Sequence, residues 1–413
     1  MKKYVGLVGL MIFAAVFFGC AQKSYIVKHE MQKILVADFE KNQLESWNKR
    51  FLIEVKNPYG YNLDNTPVVI DLKKLDIVRD GKLAPGSFFI TDVQSKRVAL
   101  SQIDDLDGDK LLDEIVFIAD VPALSSVNFY LYYSEGGRIW QFPIRYTDAY
   151  ALPGWESEVF GYRSYFSFIL DTFAKPKNNP NLMLRQLYDE QFRQLYNHHT
   201  KSGIGMDTLN VGDTSGLAGA LCIVNGKKIK PKEGAIKSEV ILSGPVRSIV
   251  KMTKDPWVTE AGTFTITRTA TIYAHHFETQ ISDAVAVKDG KGTAQYGIGL
   301  KKEKISKYEA LKDEGLFVQW HNQHPSIGEH GIGIYMDPSK IALDGEEADD
   351  QYVLVKDSLK GNKEIKVDFV AFGMWKDGGY VKTAEGFKEF AKYVKEQQSR
   401  VNVNIGPAEI YKK

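Results

Sequence analysis

The chain has 413 residues, 44% hydrophobic and 25% charged, an ordinary globular composition that excludes wholesale disorder. With 53 basic and 52 acidic residues the formal charge is +1, too balanced for a protein whose main partner is nucleic acid. Two cysteines make no disulfide framework, and the 12% aromatic content suits a β core or a surface that stacks on sugar rings.

Lys2 and Lys3 precede an apolar run at residues 5–18, too short to span a bilayer well and right for a signal peptide. It ends at Gly19-Cys20, which resembles a bacterial lipoprotein cleavage site. Cleavage there would free an amine and a thiol on Cys20 for acyl chains, and several chains anchor more firmly than one. The expected organisation is a signal peptide at 1–20, a tether at 21–48, an N-terminal β region at 49–150 and a main β region at 151–413. Residues 49–413 could equally form one domain. The expected location is the cell envelope, with the membrane touched only through the anchor.

Short β runs separated by turn residues follow at 51–55, 67–72, 87–90, 97–100, 114–118 and 127–133. Leu184, Tyr188, Phe192 and Leu195 recur at helical spacing and predict a helix over 181–197. The segments 239–242 and 247–250 flank Ser243-Gly244-Pro245 as a hairpin. Residues 263–273 alternate polar and apolar as a long half-buried strand, and 365–372 read as another. Phe387, Phe390, Ala391 and Val394 mark an amphipathic helix capped by Thr383. The predicted fold is mainly β, a large antiparallel β-sandwich with a few helices.

No phosphate-binding glycine loop, dinucleotide fingerprint, serine nucleophile elbow or paired zinc-ligand motif occurs. Cofactors are therefore expected to be none, with one exception. Residues 104–114 concentrate hard oxygen ligands, and Asp105, Asp107, Asp109 and Glu114 are candidate ligands of a structural calcium ion. Ile103 stands where the first ligand of a calcium loop belongs, and an acidic hairpin turn explains the same residues.

The richest stretch is 154–219. Gly154-Trp155-Glu156-Ser157-Glu158 sets an aromatic beside two carboxylates, and Gly161-Tyr162-Arg163-Ser164-Tyr165 follows. On a strand, Tyr162 and Ser164 face one way, Arg163 and Tyr165 the other. Trp155 offers a stacking face, Glu156 an acid or base, and Arg163 a two-pronged carboxylate clamp. On the predicted helix, His199 shares the inward stripe and could accept a proton near neutral pH. Tyr196, Arg193 and Asp207 are close to it in sequence, and the glycine-dense run 203–219 reads as a shaped loop. His276, Trp320 and His321 could line the same cleft, or equally serve the core.

Asn57, Pro67-Val68-Val69-Ile70, the acidic hairpin, Gly154-Trp155-Glu156-Ser157-Glu158 with Gly161-Tyr162-Arg163, and Gly205-Met206-Asp207 together resemble a domain-of-unknown-function family. Its members are secreted or lipidated proteins of bacterial polysaccharide-utilisation systems, similar to the galactose-mutarotase-like β-supersandwich. The resemblance implies action on oligosaccharides from acidic polysaccharides. The leading expectation is lyase or dehydratase chemistry, with His199 as base, Arg163 as clamp and Tyr162 or Tyr196 as proton donor. One alternative is a glycoside hydrolase using Glu156 and Asp207, which needs carboxyls about 5 to 9.5 Å apart. Another is a non-catalytic glycan-binding lipoprotein with Trp155 and Trp320 as platform.

Overall fold

The computed structural model describes residues 23, 25–27, 49–75, 88–133, 144–165, 167–189, 193–231, 236–303, 306–361 and 363–410. The signal peptide, Cys20 and nearly all of the tether lie outside these residues. The chain is mainly β, and all strand pairing is antiparallel. A ten-stranded and an eight-stranded sheet face each other across the largest core. Trp155, Phe160 and Tyr162 of the first meet Phe264, Ile266, Phe369 and Phe372 of the second. Trp155 donates its indole N–H across the gap to Thr279 Oγ1 at 3.0 Å, and the Tyr162 hydroxyl donates to the Phe277 carbonyl.

Inside this core Arg268 and Asp283 form a bidentate pair with no exposed surface. The remaining Arg268 donors reach the carbonyls of Phe168 and Ala218, and Tyr296 donates to Asp283. A charge sealed from water needs this full set of partners. A second core lies in the N-terminal region, where Phe51, Ile53, Phe117 and Leu131 pack together and the returning strand Asn402–Ile405 pairs with Lys49–Lys56.

Most strand expectations hold, because period-two alternation reports burial on one face directly. Residues 97–100 do not form a strand; only an isolated bridge joins Val98 to Thr91. The terminal helix Ala384–Gln397 forms with Thr383 accepting from Gly386 N–H, as expected. The predicted helix over 181–197 does not form. Only Leu184–Leu187 is helical, after which Tyr188 turns extended and bridges to Gln194. Tertiary contact overrides the helical period here: Glu156 takes the Leu184 N–H, and Met183, Leu184, Leu187 and Tyr188 pack on Phe173.

The acidic hairpin is clamped to the sandwich. Arg247 donates to Asp104 and to Glu114, each at 2.6 Å, and Gln102 bonds the backbone at 246 and 247. Glu114 is thus spent on Arg247, which corrects its inclusion among the calcium ligands. The carboxylates of Asp105, Asp107 and Asp109 lie together, yet each accepts backbone N–H groups of its own turn. That is the hydrogen bonding of an acidic turn.

Candidate functional site

The site lies on the outer face of the ten-stranded sheet, on the strands Thr147–Tyr150, Gly154–Ser157, Phe160–Ser164, Leu170–Ala174 and Met206–Asp207. Residues in register on neighbouring strands share a face, and alternate residues on one strand share it too. One row runs Asp148, Glu156, Gly161, Phe173, Asp207; the next runs Tyr150, Gly154, Arg163, Asp171. The opposite face of these strands carries Trp155, Tyr162 and Leu170 into the core. The same alternation therefore sends Trp155 and Tyr162 to the core on one side and Glu156, Arg163, Asp171 and Asp207 to the other. Met183, Leu184, Leu187 and Tyr188 pack on Phe173, and Leu184 N–H bonds Glu156, so residues 176–189 cover the first half of this outer face.

Under that cover Glu156 and Lys175 pair at 2.6 Å with both side chains fully buried. The Glu156 oxygens also accept Leu184 N–H at 3.0 and 3.1 Å and the Tyr150 hydroxyl at 3.2 Å. Burial pulls the Lys175 ammonium below its ordinary pKa, opposed by the Glu156 charge. Gly161 makes room, since a Cβ there would come within 3.2 Å of the Glu156 Cβ.

The other half is built around Asp207, which is 2% exposed. One oxygen accepts Leu209 N–H at 3.0 Å; the other lies 3.2 Å from His199 Nδ1 and 3.7 Å from His198 Nε2. The hydrogen bond that His199 donates to Asp207 raises the His199 pKa, while burial lowers that of His198. Asp171 is buried beside Asp207. Burial, then the Asp207 charge beside it, push the Asp171 pKa well above its ordinary value. Tyr165 donates to Asp171 at 3.3 Å. Arg163 donates to the Tyr188 hydroxyl at 3.1 Å, and that hydroxyl meets His198 Nδ1 at 3.1 Å. Burial pushes the Tyr188 phenol up to about 12. The guanidinium of Arg163 stands 4.9 Å from the Tyr165 ring centroid and 5.2 Å from that of Tyr188.

His199, Asp207 and Arg163, singled out from sequence, therefore belong to one cluster. His198, Asp171, Tyr165 and Tyr188 complete it and were missed as site residues. A charged residue inside the otherwise buried strand Leu170–Ala174 was the available signal for Asp171. His199 is solvent-facing at 65% exposure, not part of an inward helical stripe.

Other candidates lie elsewhere. Trp155 and Tyr162 are sealed in the core, which corrects a stacking role for the first and a proton-donor role for the second. Glu156 stands three strand spacings from Asp207, about 14 Å of backbone, too far for a two-carboxylate hydrolase pair. Tyr196 is exposed, and Arg193 forms an exposed pair with Asp189. His276 is buried between Glu278 and the Asn65 carbonyl. Trp320 is buried, with its N–H toward Glu329. His321 is buried against the His330 ring at 4.0 Å, and burial pushes His330 down to about 4.

Among solved structures the chain is similar to a protein in the glycosyl hydrolase family 38 from Enterococcus faecalis (TM-score 0.50, 10% identity, 88% of this chain and 49% of that one). An alpha-mannosidase from Enterococcus faecalis V583 gives TM-score 0.48 at 10% identity, over 88% of this chain and 47% of that one. A putative kojibiose phosphorylase from human microbiome gives 0.36 at 9%, over 63% and 37%. The chain spans about half the length of the first two, and the likeness is one of fold. No curated protein matches. The lyase or dehydratase assignment is corrected: the solved structure that matches at TM-score 0.50 is named as a protein of glycosyl hydrolase family 38, not as a lyase. The model of the family described as Domain of unknown function (DUF4861) matches residues 55–149 and 142–405, and the chain belongs to that family.

Proposed function

We propose that this protein is a carbohydrate-processing enzyme that hydrolyses glycosidic bonds of an oligosaccharide at the Asp171–Asp207–His199 cluster. The observation that carries the reading is a solvent-facing His199 whose Nδ1 lies 3.2 Å from the buried carboxylate of Asp207, with the buried Asp171 carboxyl beside it. The raised pKa of His199 keeps a proton available near neutral pH for the departing sugar oxygen. Asp207 orients the His199 imidazolium, and the water that attacks the sugar carbon releases its proton to solvent. Arg163, flanked by two tyrosine rings, presents a cation to hydroxyl or carboxylate groups of the sugar. The glycosyl hydrolase that shares the fold supports the reaction class by analogy. Residues 1–20 support a cell-envelope location through Cys20, and Cys20→Ala should then leave the membrane fraction.

The test is incubation of the full chain with neutral and uronate-containing oligosaccharides, followed by mass spectrometry and reducing-end analysis. Expected are products that together gain one water, and a kcat lowered about 10²- to 10⁴-fold in His199→Ala with glycan binding retained. A glycan that binds without gaining reducing ends refutes hydrolysis. Undiminished turnover in His199→Ala refutes the assigned cluster.

A further inference from the structure

The atoms that His198, His199 and Asp207 offer as ligands all lie within 4.8 Å of one another. Two of the separations are known: Asp207 Oδ2 is 3.2 Å from His199 Nδ1 and 3.7 Å from His198 Nε2. Tetrahedral ligands at the usual zinc distance of about 2.0–2.1 Å stand roughly 3.3–3.4 Å apart. Both separations fall within a few tenths of an ångström of that spacing. The exposed ring of His199 has room to close the third.

The groups behind the cluster are arranged as a metal site requires. His198 is 6% exposed, and its Nδ1 is held by the Tyr188 hydroxyl, which Arg163 holds in turn. In the tautomer whose Nδ1–H donates to Tyr188, Nε2 carries the lone pair, 3.7 Å from Asp207 Oδ2. A metal-bound histidine is commonly braced through its other nitrogen in this way. Asp207 is fixed by Leu209 N–H on one oxygen, which leaves Oδ2 for a cation. Two imidazoles and one carboxylate suit zinc-like ions better than calcium or magnesium, which prefer all-oxygen shells.

We propose that His198 Nε2, His199 Nδ1 and Asp207 Oδ2 form a binding site for a zinc-class divalent cation, with the fourth position open to solvent beside His199. Cation and proton exclude each other on His199 Nδ1, so the metal-loaded state is distinct from the proton-carrying state used above. The inference goes beyond the hydrolase reading and does not depend on it, because its readout needs no glycan.

The experiment uses the full chain stripped with chelator. Zinc is titrated calorimetrically, and cobalt is followed by its visible spectrum. One equivalent of zinc and an intense four-coordinate cobalt spectrum are expected. Tyr188→Phe, which removes only the brace, should weaken zinc roughly 10- to 100-fold, and His199→Ala and Asp207→Asn should weaken it further. His199→Ala changes a solvent-facing side chain, so its fold is the least at risk; circular dichroism checks each variant. Absence of saturable zinc binding, a six-coordinate cobalt spectrum, or wild-type affinity in His199→Ala would overturn the proposal.

Discussion

Replacing Lys175 by Met tests whether Glu156 is a structural anchor or a reacting group. Met has nearly the length of the lysine stem, so the substitution removes charge with little loss of volume. Glu156 then keeps the Leu184 N–H and the Tyr150 hydroxyl but loses its cation at 2.6 Å, in a place with no exposed surface. Removing one partner of a buried ion pair costs about 3–5 kcal/mol, a large share of a typical total of about 5–15 kcal/mol. The double variant Lys175→Met with Glu156→Leu removes both charges. It should recover most of that loss, leaving about 1–3 kcal/mol for a Leu184 N–H without its acceptor. Urea unfolding followed by tryptophan fluorescence measures all three proteins, and Trp155 reports from the same strand as Glu156. A Lys175→Met midpoint within error of wild type would refute the reasoning. So would a double variant less stable than the single one.

Four further outcomes are expected. His276 donates from both ring nitrogens, to Glu278 and to Asn65 O, so it is held as the imidazolium. Burial alone would lower its pKa, but Glu278 raises it above 6.5; burial would raise that of Glu278, but His276 holds it below 4.5. The pair therefore stabilises fully between about pH 4.5 and 6.5. Its Glu278 contribution is lost as pH falls through the lowered pKa, and its His276 contribution as pH rises through the raised one; in His276→Gln the alkaline loss, read by urea unfolding at several pH values, should flatten. Asp283→Asn leaves Arg268 buried without its carboxylate and should cost about 3–5 kcal/mol in the same assay. Gly205→Ala places a Cβ 2.2 Å from the Ala174 carbonyl at φ +123°, so it should destabilise by more than about 1 kcal/mol and speed proteolysis of residues 176–205. Turnover that depends on the His199 imidazolium should fall as pH rises through its raised pKa, and Asp207→Asn should move that fall to lower pH in a pH–rate profile.

The sandwich was legible because strand alternation reports burial locally. The strand Gly262–Tyr273 alternates in sequence and in burial alike. The alternation of Tyr162 and Arg163 was legible for the same reason, but which face was the core was not. Trp155 looked like a sugar platform because its chemistry suits one; in the structure it fills the gap between sheets. The covering segment was misread for a different reason. Leu184, Leu187 and Tyr188 are apolar to pack on Phe173, and that packing needs one helical turn followed by extended chain. Helical spacing in the sequence does not distinguish that from a continuous helix. Asp171 was missed because its role depends on Asp207, a partner 36 positions away that only strand pairing brings near.

The two halves of the outer face differ in what neutralises their carboxylates, and this difference separates scaffold from chemistry. Glu156 is matched by Lys175 at 2.6 Å, and Asp148 by Arg185 at 2.5 Å and Arg145 at 3.5 Å. The Arg185–Asp148 pair and the Leu184 N–H on Glu156 fix the covering segment to the sheet. Around Asp207 the ion-pair partners among the described residues are instead His198 and His199, and burial and the Asp207 charge raise the pKa of the neighbouring Asp171. Histidine changes charge close to neutral pH. This half of the face is where the proposed proton transfer and cation binding are placed, while the Arg185–Asp148 and Lys175–Glu156 pairs lie in the other half. A sheet that only bound sugar would not require a buried carboxyl pair wired to a solvent-facing imidazole, because that arrangement costs desolvation energy and adds no stacking surface.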